Sequence, residues 1–118
     1  MLITSDSDAS ERDIGMNLKG TLPLLILSAL EREPKHGYLI ATEIKAKSKG
    51  VLDFREGTLY PALHEQERKG LIESYELEEP GRVRRYYRIT ENGRKVLQKE
   101  RAEWKEVSAA VTLLLEGA

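Results

Sequence analysis

Between Lys35 and Thr90 the chain sets two helix starts and one Pro-Gly turn at spacings that leave few folds open. Lys35-His36-Gly37-Tyr38 opens one helix, running to about Ser48-Lys49-Gly50 with Tyr38, Leu39, Ala41 and Ile44 supplying apolar contacts. Glu56-Gly-Thr-Leu-Tyr-Pro-Ala-Leu63 opens a second, with Thr58 as N-cap and Pro61 in the first turn, where backbone donors are unpaired anyway. Lys69-Gly70 stops it, because glycine is favoured just past a helix C-terminus. Leu59, Ala62, Leu63 and Gln66 then share its inner face. Leu71–Glu78 and Arg82–Ile89 read as strands around the turn Glu79-Pro80-Gly81. Along the returning strand Val83, Arg85, Tyr87 and Ile89 share one face, and Arg82, Arg84, Tyr86 and Arg88 the other. Two short helices followed by a hairpin with a basic returning strand is the layout of a winged helix-turn-helix, mainly α with a two-stranded wing.

The flanks complete the architecture. Residues 1–17 are expected to form a flexible acidic leader, and residues 18–90 the winged domain. A first helix should begin near Gly20-Thr21; it is apolar on almost every side (Leu22, Leu24, Leu25, Ile26, Leu27, Leu30) and so must be covered from more than one direction. Residues 91–118 form a long C-terminal helix capped by Thr90, with Leu97, Trp104, Val107, Val111 and Leu114 in a stripe at helical spacing. Little else in 118 residues remains to cover that stripe, so a homodimer is expected.

Charge decides what such a fold could meet. The net charge of −1 hides an uneven distribution: residues 1–18 carry four acids against Arg12, whereas residues 80–95 carry six bases against Glu91. A local basic patch, rather than the whole-chain charge, is what meets phosphate. The absence of cysteine removes disulfides and thiolate chemistry, and the longest apolar run is far short of a membrane span. A cytoplasmic, non-enzymatic protein without metal or cofactor is expected. The two histidines sit on different helices, and no Gly-rich phosphate loop follows a strand.

The expected partner is double-stranded DNA. A helix entering the major groove by its N-terminal end would present Thr58, Tyr60, Pro61 and His64, with hydroxyls for phosphate and longer side chains for base edges. Arg82, Arg84 and Arg85 would lie beside the duplex, with Arg82 and Arg84 near a minor groove. Lys35 and Tyr38, at the opening of the preceding helix, complete the set. Each has a plainer reading: Tyr60 packed beneath the wing, His64 a solvated surface residue, Arg85 paired with Glu73 across the hairpin. The rival function is a winged helix used for protein–protein contact.

In sequence order, Leu18-Lys-Gly-Thr-Leu22, His36-Gly-Tyr38, Glu56 to Leu63, Lys69-Gly-Leu-Ile72, Gly81-Arg82, Tyr86 to Thr90 and Gly93-Arg94 resemble the PadR family of bacterial transcriptional regulators, in its branch with a single C-terminal helix. The resemblance implies a dimeric repressor on an inverted-repeat operator, released by a small molecule or another signal. It also implies two roles for Trp104: core of the dimer, or wall of a central pocket that stacks a small aromatic effector. Two residues depart from the family pattern. Gln66 stands where leucine or methionine is usual, and Glu65 where a base is often found.

Overall fold

The computed structural model describes residues 19–117, so the expected leader lies outside the described residues. A 3-10 turn (Lys19–Thr21) leads into helix α1 (Leu22–Ala29), with Pro23 in its first turn. The helix is the hub of the molecule, touching the three other helices. Its all-round apolar surface is used: Leu22, Ile26, Leu27 and Leu30 are buried, and Leu24, Leu25 and Ala29 pack at the margin.

A two-residue strand β1 (Lys35–His36) precedes helix α2 (Gly37–Lys47), and a loop joins α2 to helix α3 (Glu56–Arg68). Strands β2 (Ile72–Glu79) and β3 (Arg82–Ile89) form the hairpin, and helix α4 spans Glu91–Leu115. The sheet is antiparallel in the order β1-β3-β2. The wing therefore has a third strand beyond the two expected. Two residues carry no periodicity of their own, and only pairing with Tyr86 and Tyr87 makes them a strand. Gly81 takes a φ of +82°, which the tight turn after Pro80 requires and a side chain would resist.

One face of the sheet closes the core, where Ile72, Tyr87 and Ile89 join Ile40, Leu59 and Leu63. In α2 the apolar anchors are Ile40 and Ile44, whereas Tyr38 is 67% exposed rather than an apolar contact. Helix α3 begins at Glu56 with Arg55 as its N-cap residue, not at Thr58. Pro61 thus falls beyond the first turn, where it lacks the N–H that would have bonded the Gly57 carbonyl. The Thr90 hydroxyl accepts from the Gly93 N–H at 3.0 Å, capping α4 as expected. At Gly93 the helix approaches the turn before β2 so closely that an added Cβ would lie 2.1 Å from the Leu71 carbonyl oxygen. A helix of 25 residues is about 37 Å long, which explains why the molecule measures 53 × 34 × 24 Å.

Candidate nucleic-acid interface

The N-terminal half of α3, the start of α2 and the tip of the hairpin enclose an open cleft of about 600 Å³. Tyr38, Tyr60 and His64 line it from the helices; Arg82, Arg84 and Arg85 line it from the wing. These six of the nine expected DNA-facing residues are thus brought together. Thr58 is half-buried and Pro61 exposed on the same helix. Lys35 does not belong with them. It is 5% exposed, its ammonium donates to the Ala29 carbonyl, and it lies 3.5 Å from the Glu43 carboxylate. Burial with two partners makes it a bolt between the end of α1 and α2, out of reach of phosphate.

Tyr60 is half-buried, with its ring laid over Gly37; a Cβ there would meet the hydroxyl at 2.6 Å and the ring at 2.8 Å. The helix pair is therefore locked by an aromatic ring on a glycine, so Tyr60 both builds the cleft and borders it. His64 projects from α3 exposed and without a partner among the described residues.

The wing's arginines are less free than their sequence implies. Arg88 pairs with Glu73 at 3.0 Å, and its guanidinium lies 4.9 Å from the Tyr75 ring centroid. Arg85 bonds the Ser74 hydroxyl at 3.0 Å and Glu76 at 3.4 Å, rather than Glu73. Arg84 pairs with Glu79 at 2.8 Å. Arg82 is exposed and makes no ion pair among the described residues.

His36 was not expected in the site. Its Nδ1 accepts from the Leu39 N–H at 3.2 Å, capping α2, and the ring stands edge-on to Tyr86 and parallel to Tyr38. Burial, and then the neighbouring Arg84, hold its pKa below the usual 6.5. The neutral ring is the form that can accept the cap. Its signal in the sequence is a hydrogen-bonding side chain immediately before a helix-opening glycine.

On α3, the Glu65 carboxylate is gripped by Arg68, whose Nε lies at 3.0 Å, with Lys69 at 3.9 Å. The Arg68 hydrogen bond holds that carboxyl below its ordinary range. Two bases thus offset the charge that Glu65 would turn toward a phosphate. Gln66 is 2% exposed, and its Oε1 has no hydrogen-bond partner among the described residues. An unpaired acceptor there costs about 1–3 kcal/mol.

The C-terminal stripe divides. Leu97 is fully buried among this chain's own core residues, which removes it from any dimer or effector surface. Trp104, Val107, Val111 and Leu114 are 46–80% exposed. No helix among the described residues is long and apolar enough to cross a membrane, and no group of three or more acids and histidines among them could hold a metal.

Comparison with known proteins agrees with this geometry. The model of the transcriptional regulator PadR-like family matches residues 26–99. A PadR family transcriptional regulator from Eggerthella lenta superposes with a TM-score of 0.73 at 34% identity, covering 85% of this chain and 86% of its own. A PadR family regulator from Clostridium difficile gives 0.73 at 34%, covering 81% and 99%. Bacillus subtilis PadR, solved in complex with operator DNA, shares the fold with a TM-score of 0.62 at 21% identity, over 67% of this chain and 45% of that one.

Proposed function

This chain belongs to the PadR-like family of transcriptional regulators, and from that premise we propose that it is a sequence-specific DNA-binding repressor acting as a homodimer. The observation that carries the reading is the cleft itself. It sets the exposed face of α3, with Pro61 and His64, against a wing tip bearing the unpaired Arg82. A recognition helix in the major groove with a guanidinium beside it is how such a fold reads sequence and grips phosphate together. The operator-bound state of Bacillus subtilis PadR supports carrying this mode to a chain of the same fold.

Residues 18–90 are the DNA-binding unit and residues 91–118 the dimerisation helix, whose first half, to Arg101, is anchored on that unit. The exposed stripe of Trp104, Val107, Val111 and Leu114 supports the second assignment. A symmetric dimer presents two copies of α3 related by a two-fold axis, so the operator is an inverted repeat. Release comes from a small molecule or another signal, and Trp104 is the residue that a flat aromatic effector would stack on. The site of action is the cytoplasm, where the DNA is.

One observation favours a protein-docking role instead: three of the wing arginines are already paired with carboxylates of β2. Fluorescence anisotropy on duplex DNA from upstream of the chain's own gene separates the two. The repressor reading requires preference over scrambled DNA, two chains per site and steep weakening between about 50 and 200 mM salt. Equal binding to scrambled DNA, or no binding, would leave the protein-docking role.

A further inference from the structure

The wing presents four arginines, of which only Arg82 lacks an ion pair among the described residues. Arg84 is the most constrained of the paired ones. Its Nε lies 2.8 Å from Glu79 Oε1, and its Nη1 sits 3.3 Å from each imidazole nitrogen of His36. The other Glu79 oxygen, Oε2, accepts from the Tyr86 hydroxyl at 2.5 Å. Both carboxylate oxygens and the Nε and Nη1 groups of the guanidinium are thus occupied, and the Arg84 side chain is only 25% exposed.

The chain path gives this cluster a task. Glu79 is the last residue of β2 and Arg82 the first of β3, directly opposite it across the Pro80-Gly81 turn. His36 is the cap of α2 and pairs in register with Tyr86. Glu79, Arg84 and His36 therefore join the hairpin tip to the N-terminus of α2, and the residue carried on that joined tip is Arg82.

Resting on the DNA-binding reading above, we propose that Arg82 is the wing's phosphate contact and that Glu79, Arg84 and His36 form a clasp that positions it. Arg84 is a positioning residue, not a phosphate ligand. A phosphate taking the Nε edge of Arg84 would have to displace a carboxylate already held by two donors. A phosphate on Arg82 displaces only water.

Salt dependence reads out direct contact, since each phosphate neutralised contributes about 0.9 to the slope of log K against log salt. Anisotropy titrations over a salt series should show Arg82→Gln flattening the slope by about that amount per subunit, equally on operator and scrambled duplex. Arg84→Gln should weaken binding at every salt concentration while leaving the slope unchanged. Arg84→Lys should fail to rescue it, because a lysine restores the charge but not the fork. Glu79→Gln, which retains an acceptor for Tyr86, keeps the test open if the Arg84 variants fold poorly; its slope should also stay that of wild type. A flatter slope for Arg84→Gln, rescue by Arg84→Lys, or a steeper and tighter Glu79→Gln would overturn the clasp. Wild-type protein that binds no DNA at any salt would bring down the DNA-binding reading and the clasp with it. Wild-type binding with the wrong variant slopes would bring down the clasp alone.

Discussion

The two halves of α4 share one apolar stripe at helical spacing, and its residues meet different fates. Up to Arg101 the helix is built into the winged domain. Gly93 packs against Leu71 and Ile89, Leu97 is fully buried, Arg94 donates to the Glu31 carbonyl at 3.0 Å, and Arg101 pairs with the Glu31 carboxylate at 2.7 Å. Beyond Arg101 the apolar side chains Trp104, Val107, Val111 and Leu114 are left in the open. Helical periodicity states that a face needs cover; it does not say whose chain supplies it. A stripe that reads as one surface in the sequence is a core residue of this chain followed by an exposed apolar patch.

The buried end of the stripe carries the larger energy. Leu97→Ala removes a fully buried side chain from the chain's own core and should cost about 2–5 kcal/mol. Thermal unfolding at low protein concentration is the check, because a loss inside the protomer persists when dimers are diluted away. If the loss vanished on dilution, Leu97 would belong to the dimer surface after all.

Next in size comes the exposed end. Val107 is 54% exposed in the single chain, so Val107→Glu should alter protomer stability by no more than about 0.5 kcal/mol. It should nevertheless move the sedimentation coefficient from dimer to monomer, since it puts a charge into the proposed interface. Helical content by circular dichroism should hold across the winged domain. A dimer that survives this substitution would place the interface elsewhere.

That contrast also marks what can be read without coordinates. Local chemistry was legible: the Thr90 cap, the Gly70 stop and the Pro80-Gly81 turn each act within a few residues. The cleft was largely legible too, because α3 and the hairpin are placed by their order along the chain. What failed needed a partner from far away. Lys35 looks like a surface lysine at a helix start until Glu43 and the Ala29 carbonyl close around it. The ion pairs of the wing are an intermediate case. A two-residue turn at Pro80-Gly81 sets the register, and that register puts Glu73 opposite Arg88 and Glu76 opposite Arg85. Those pairs could have been derived, and they would have tempered the view of β3 as a free basic strand. Glu79 reaching diagonally to Arg84 could not, since Arg84 faces Leu77 in register.

The smallest effect tests the border between the halves, the Glu31–Arg101 pair. Both side chains are about one-third exposed, so Arg101→Ala should cost at most about 1 kcal/mol at neutral pH. The Arg101 hydrogen bond, chiefly, holds the Glu31 carboxyl below its usual 4.5. A carboxyl lowered in the folded state contributes stability that is fully present above 4.5 and is lost as pH falls through the lower folded value. The gap between wild type and Arg101→Ala should therefore be widest near neutrality and close in acid. Denaturant unfolding across that range measures it. The gap should be far smaller than that of Leu97→Ala at every pH, because an exposed tether replaces only water where Leu97 fills a core. A cost for Arg101→Ala that matched Leu97→Ala, or that stayed constant into acid, would move the border past Arg101 and make the tether part of the protomer's core.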